Sequence, residues 1–195
     1  MTLEVKRFSK RYGGLLAVDS VSLSAPAGKV TALIGPNGAG KTTLLNLISG
    51  VVRTDGGDSE FFGSNTTGKT PHELAQLGLA RTYQSPQLFD DMSVLETVMV
   101  GAHLRGRAGF LSAMFLPGRT RREEAMLEGQ ALEALDRVQL SRSLLERPAV
   151  ELPYGLQRRG EIARALARNP KALLLDEPGA ALNPQGTSEL SLLIR

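Results

Sequence analysis

The chain has 195 residues, 42% of them apolar and 22% charged, with a formal net charge of +3; that suffices for one sizeable core, or one core with an inserted subdomain, in a globular protein. Zero cysteines exclude disulfides and thiolate metal sites and fit a reducing cytosol. Met1-Thr2-Leu3-Glu4-Val5-Lys6-Arg7 holds no apolar signal core, no apolar run approaches the ~18 residues of a spanning helix, and basic residues interleaved with acids, as in Arg119-Thr120-Arg121-Arg122-Glu123-Glu124, predict a solvated helix face and no nucleic-acid partner.

In chain order, Leu3 to Phe8 and Val21 to Ala25 read as short strands joined by a turn around Gly13-Gly14, an antiparallel β edge. Val30-Thr31-Ala32-Leu33-Ile34 is a β-branched, apolar run that reads as a buried strand. A glycine-rich turn follows, then a helix over Thr43 to Ser49 that Gly50 stops. Thr54-Asp55-Gly56-Gly57 signals a turn, Ser59 to Phe62 a strand, and Leu79 to Tyr83 another short strand ending at Gln84. Ser93 with Glu96 is a capping box opening a helix towards Gly101.

Gly106 to Gly118 is glycine-rich and irregular; its apolar patch Phe110–Leu116 reads either as subdomain core or as a contact with a partner or the membrane face. Thr120 to Val138 has helical spacing, with Ala125, Leu127, Ala131, Leu132 and Leu135 towards one side. The portion from about Ser85 to Pro148 is expected to be all-helical. Leu156 to Ala167 is a helix ended by Asn169-Pro170, Lys171 to Asp176 a short, fully buried strand of the parallel-sheet kind, and Asn183-Pro184 the start of a last helix. Because Gly35 to Thr42 matches G-x-x-x-x-G-K-[ST], the expected fold is α/β, a P-loop NTPase core with an inserted helical subdomain: residues 1–84 and 149–195 form the core and 85–148 the insertion.

Gly35-Pro36-Asn37-Gly38-Ala39-Gly40-Lys41-Thr42 satisfies G-x-x-x-x-G-K-[ST] between that strand and that helix. Its turn aims successive N–H groups at phosphate oxygens, Lys41 reaches the β- and γ-phosphates, and the Thr42 hydroxyl ligates Mg²⁺. The cradle runs over Asn37, Gly38, Ala39, Gly40, Lys41, Thr42 and Thr43. Hydrolysis further needs a metal ligand on the other side and an activated water. Leu173-Leu174-Leu175-Asp176-Glu177 offers both: Asp176, carried to the end of an apolar strand, holds Mg²⁺ through water, and Glu177 is the candidate general base.

With these motifs in place the whole chain resembles the ATP-binding subunits of ABC transporters. The resemblance rests on the phosphate loop, Ala80-Arg81-Thr82-Tyr83-Gln84, Leu152-Pro153-Tyr154-Gly155-Leu156-Gln157-Arg158-Arg159, and Leu175-Asp176-Glu177-Pro178. Leu88 to Glu96, Tyr154-Gly155 and Glu161 to Ala167 make it similar to the branched-chain amino acid importer type. The resemblance implies that Tyr12 stacks on adenine, for which a flat π-face suits; the alternative is a half-buried tyrosine ending a strand. It implies that Gln84 touches Mg²⁺ and the attacking water, as an amide with one carbonyl and one NH₂ can. It implies that Gly155 and the helix after it press on the γ-phosphate bound by a second subunit.

Pro153 stands where the family has a hydroxyl and offers neither side-chain donor nor N–H, so weaker closure by ~1–3 kcal/mol is expected. Leu156 replaces a polar residue, Asn183 stands for a bracing aspartate, and Gln157, Arg158 and Arg159 read equally as functional helix-surface residues or as solvated ones. The family's catalytic histidine follows the acid pair on a further strand. Here His72, read as first-turn, and His103, read as a helix end, both lie upstream and Arg195 falls inside an expected helix, so a truncated product or a fragment is expected.

The expected function is an ATP-binding and hydrolysing subunit powering an ABC importer, using ATP and Mg²⁺. It would pair with a second ATP-binding subunit, as homo- or heterodimer, dock peripherally on permease subunits at the cytoplasmic face of the inner membrane, and serve a solute-binding protein indirectly. The rivals are a hydrolysis-deficient cassette that binds nucleotide or a partner without turnover, and a soluble ABC protein acting on DNA or ribosomes.

Overall fold

The computed structural model describes residues 2–84, 88–102, 117–180 and 184–194, which fall into two compact units, Met1–Leu79 and Ala80–Arg195. In the first, β1 (Leu3–Tyr12) and β2 (Leu15–Ala25) form a hairpin through Gly13-Gly14, and β3 (Gly56–Phe61) and β4 (Ser64–Asn65) complete an antiparallel sheet of order β2-β1-β3-β4. Leu3 and Val5 point inward by strand alternation, and the next inward position would be Arg7. A register shift between Val5 and Phe8, with Arg7 at φ 51°, skips that arginine and turns Phe8 inward to 2% exposure.

Helix α1 (Lys41–Ile48) packs on β1 and β2 and buries Leu44, Leu47 and Ile48. Helix α2 (Pro71–Leu77) opens with a capping box between Thr70 and Glu73 and with proline at its start, so His72 sits in its first turn, as expected. The segment 30–34 is a correction: it carries no strand, and Val30 and Ile34 are 65% and 89% exposed. An apolar run becomes a strand only where neighbours take its N–H and C=O groups, and the first unit's sheet pairs none of its strands with this one.

The second unit holds a two-stranded sheet of β5 (Leu79–Arg81) and β6 (Ala172–Leu174) and the helices α3 (Val94–Ala102), α4 (Pro117–Arg137), α5 (Tyr154–Leu166) and α6 (Pro184–Ile194). The Ser93–Glu96 capping box forms as read, with Ser93 N–H to Glu96 Oε2 at 2.8 Å and Glu96 N–H to Ser93 Oγ at 3.2 Å. Leu127, Ala131, Ala134 and Leu135 of α4, with Val138 just past its end, face Val94, Val98 and Ala102 of α3 and Ile162 and Ala163 of α5, forming one buried cluster. A Cβ on Gly101 would collide with the Arg164 carbonyl oxygen, so this glycine lets α3 lie directly on α5.

Among the described residues the stretch 88–148 is helical or irregular apart from the isolated bridge Ser93–Pro148. The apolar patch Phe110–Leu116, the helix end at His103 and Asn183 lie outside the described residues. Strand β6 is a second correction: it is three residues long and half-buried rather than fully buried. Its one neighbour in the sheet is β5. No described helix is long and apolar enough to cross a membrane.

Candidate functional site

The phosphate loop belongs to the first unit. Gly38 and Gly40 have φ of 80° and 82°, left-handed values that β-branched or bulky residues rarely hold. A Cβ at Gly40 would also run into the Ala17 carbonyl oxygen, so two independent constraints select glycine there. Gly40 is the N-cap of α1 and supplies no side-chain acceptor, so no cap competes with an incoming anion for the main-chain N–H groups of the first turn. Ala39 N–H closes the loop on Pro36 O at 3.3 Å, and Lys41 Nζ lies 2.9 Å from Gly35 O and 2.8 Å from Pro36 O. Those two carbonyls tie the ammonium to the start of the loop. Asn37 is exposed, and Thr42 and Thr43 occupy the first turn of α1.

A helix N-terminus without a side-chain cap, a left-handed glycine turn and an ammonium form a donor set that fits phosphate. Tyr12 ends β1 and is 47% exposed, and Lys10 Nζ lies 5.6 Å from its ring centroid. Lys10 is itself tied to Asp55 at 2.6 Å.

The acid site belongs to the second unit. Asp176 is 2% exposed and receives Arg81 Nη2 at 3.0 Å. Glu177 follows at φ 44°, a left-handed conformation uncommon in a non-glycine residue. Ala180 N–H bonds back to the Glu177 carbonyl at 2.9 Å. Gln84 Nε2 donates to Glu177 Oε2 at 3.3 Å, so the structure brings together the amide and the carboxylate that the sequence singled out from positions 93 apart. Within this unit the Gln84 carbonyl and the Asp176 carboxylate offer only oxygen, the chemistry a hard divalent cation takes.

Arg158 corrects the sequence reading. It is 1% exposed, not a surface residue; it donates to the Tyr83 carbonyl and Glu161, and through Nη2 to the Asp176 carbonyl at 2.7 Å. Glu161, also 1% exposed, accepts Tyr83 N–H at 3.0 Å. Burial pushes its carboxyl above the ordinary range, while the Tyr83 N–H and the Arg158 charge pull it down by less. Gln157 is half-buried, and its Nε2 donates to Val150 O and Leu152 O, both at 2.8 Å. Arg159 is paired with Glu189.

The sequence carried a signal for the buried pair. Opposite charges at positions 158 and 161 lie one turn apart, on the helix face that also carries Ile162. At the start of α5, Pro153 is the N-cap without a side-chain cap bond, and Gly155 is the second helical residue. The helix begins two residues before the expected Leu156.

A family model for ABC transporters matches residues 18–180. The chain is 40% identical over 192 residues to the high-affinity branched-chain amino acid transport ATP-binding protein BraF of Pseudomonas aeruginosa, covering 98% of this chain and 75% of that protein. It is 39% identical over 195 residues to LivG of Escherichia coli K12, with the same coverage. Among solved structures it superposes on MJ1267, an ATP-binding cassette of an ABC transporter, with a TM-score of 0.84 and 35% identity, covering 99% of this chain and 75% of that one. The dimeric cassette MJ0796 follows at 26% identity and a TM-score of 0.80, covering 98% and 81%.

Proposed function

The chain belongs to the ABC transporter family, and from that premise we propose that it is the ATP-hydrolysing subunit of an importer for branched-chain amino acids. Coupling ATP hydrolysis to transport is the chemistry of the family; the solute is inferred from relatives such as BraF and LivG, whose names state it. Its working form is a dimer of ATP-binding subunits, docked peripherally on permease subunits at the cytoplasmic face of the membrane and supplied by a solute-binding protein. The core is discontinuous, over 1–84 and 149–195, with 85–148 as the helical part that faces the permease.

The observation that carries the hydrolytic reading is the Gln84–Glu177 hydrogen bond beside buried Asp176, because a phosphate loop alone accounts only for binding. In this reading Tyr12 offers its exposed ring to adenine. The main-chain amides from Asn37 to Thr43 and the Lys41 ammonium take the phosphate oxygens, and Gly155 with the N-terminus of α5 offers donors to a nucleotide on the other subunit. Thr42, Gln84 and Asp176 would hold Mg²⁺, which when bound neutralises phosphate charge. Glu177 accepts the proton of the attacking water, and Gln84 orients that water.

Two substitutions test this. Lys41→Ala should abolish binding of radiolabelled ATP. Glu177→Gln should keep binding but lower Mg²⁺-dependent phosphate release by on the order of 10²–10⁴-fold. Unchanged release by Glu177→Gln would refute the assignment of the base, and unchanged binding by Lys41→Ala that of the phosphate loop.

A further inference from the structure

Where the ladder between β5 and β6 ends, a side-chain pair from α5 takes over. The last main-chain bond between the two segments is Thr82 N–H to Leu174 O at 3.0 Å. Beyond it Arg158 binds the carbonyls of both segments, at Tyr83 and at Asp176, while Glu161 receives the Tyr83 N–H and one arm of the same guanidinium. Each carbonyl that Arg158 holds belongs to the peptide immediately before a residue of the proposed hydrolytic pair, Gln84 on one segment and Glu177 on the other. Those two side chains then meet at 3.3 Å.

Stability alone does not call for this arrangement. Taking two charges out of water is costly, and an apolar pair of similar volume often serves a core as well or better. Yet this pair is among the most buried of the described residues, and beyond the bond the two make with each other their donors and acceptors go to loop main chain. A planar, five-donor guanidinium is the side chain that can hold two carbonyls and a carboxylate in one fixed geometry.

We propose that Arg158 and Glu161 are positioning residues for hydrolysis, which set the distance between Gln84 and Glu177 by clamping the main chain at Tyr83 and Asp176. The proposal rests on the reading of Gln84 and Glu177 given above. It concerns two α5 side chains that would touch neither nucleotide nor metal.

A double-mutant cycle tests it. Arg158→Lys keeps the positive charge beside Glu161, but one ammonium cannot reproduce the fork that joins both carbonyls. Alone it should lower kcat for ATP hydrolysis by about tenfold or more, with the dissociation constant for nucleotide unchanged within about twofold, since a group acting only on the chemical step leaves binding alone. In a Gln84→Ala background the further loss should shrink to less than about twofold, because the Gln84–Glu177 distance that the clamp sets is then already gone. Equal losses in both backgrounds, a loss confined to binding, or no loss at all would overturn the proposal.

Should Arg158→Lys fail to fold, Glu161→Gln, which keeps the shape and the acceptor for Tyr83 N–H, takes its place in the cycle with the same expectation. If Gln84→Ala leaves kcat unchanged, or the chain shows no turnover, the hydrolytic reading fails, and amide exchange decides on the clamp by itself. Arg158→Lys, or Glu161→Gln in its place, should speed exchange at residues 82–84 and 175–177 by about tenfold or more and leave α3 and α4 at parental rates. Parental rates at those two segments, or faster exchange throughout the unit, would remove the clamp.

Discussion

Glu96 accepts the Ser93 main-chain N–H at 2.8 Å, and that bond, followed by the one with the Ser93 hydroxyl, holds its carboxyl below the ordinary range. Glu161 is displaced upward, because burial outweighs the Tyr83 N–H and Arg158. The two residues therefore contribute to stability with opposite dependence on pH. For Glu96, whose folded pKa is depressed, the contribution is present above the unfolded pKa and lost as pH falls through the folded one. For Glu161, whose folded pKa is raised, it is present below the unfolded pKa and lost as pH rises through the folded one. Urea unfolding across the acid range should show the parent's advantage over Glu96→Gln shrinking on acidification, and its balance against Glu161→Gln improving. Slopes of the same sign for both would contradict this assignment.

Gly40 belongs to this scale too. Its φ of 82° and the carbonyl of Ala17 where a Cβ would go should make Gly40→Ala cost about 1–3 kcal/mol in unfolding free energy. The same variant should weaken nucleotide binding in a filter or fluorescence assay.

At the scale of elements, α3, α4 and α5 hold together through a face that periodicity announced. Leu127, Ala131 and Leu135 of α4 are buried as the spacing predicted, whereas Ala125 is exposed and Leu132 half-buried. Leu135, at 1% exposure, sits in the middle of that face, and Leu135→Ala should cost about 2–5 kcal/mol through the cavity it leaves. Gly101→Ala should be comparably harmful for another reason: its methyl would meet the Arg164 carbonyl, so α3 would have to lift off α5. Chemical denaturation of each variant measures both. A Gly101→Ala protein of parental stability would show that the two helices can part without penalty.

At the scale of the molecule, Pro153 at the head of α5 would bear on how two subunits close over nucleotide in the dimer proposed above. It caps the helix with no side-chain bond, and its ring removes an N–H that a serine would keep. Pro153→Ser, made in a Glu177→Gln background so that nucleotide persists, should tighten the ATP-dependent dimer by about 1–3 kcal/mol. That is roughly fivefold to 150-fold in the dissociation constant by sedimentation. An unchanged constant would mean that α5 closes on nucleotide through Gly155 and the helix terminus alone.

What the residues declared by themselves was local or motif-borne. Gly38 and Gly40 in a G-x-x-x-x-G-K-T frame, the Ser93–Glu96 cap, the β1–β2 turn at Gly13-Gly14 and the Asp176–Glu177 pair each depend on neighbours a few positions away, so spacing suffices to read them. Long-range satisfaction of polar groups decided the rest. Val30 to Ile34 has the composition of a strand but no partner within its unit to accept its hydrogen bonds, and β6 is half-buried though its residues are apolar. Arg158 looked like any charged residue on a helix until the fold set the Tyr83 and Asp176 carbonyls within its reach, from positions 75 and 18 away. Burial of a charge turns on which distant main-chain groups can compensate it, and only the folded chain supplies those groups.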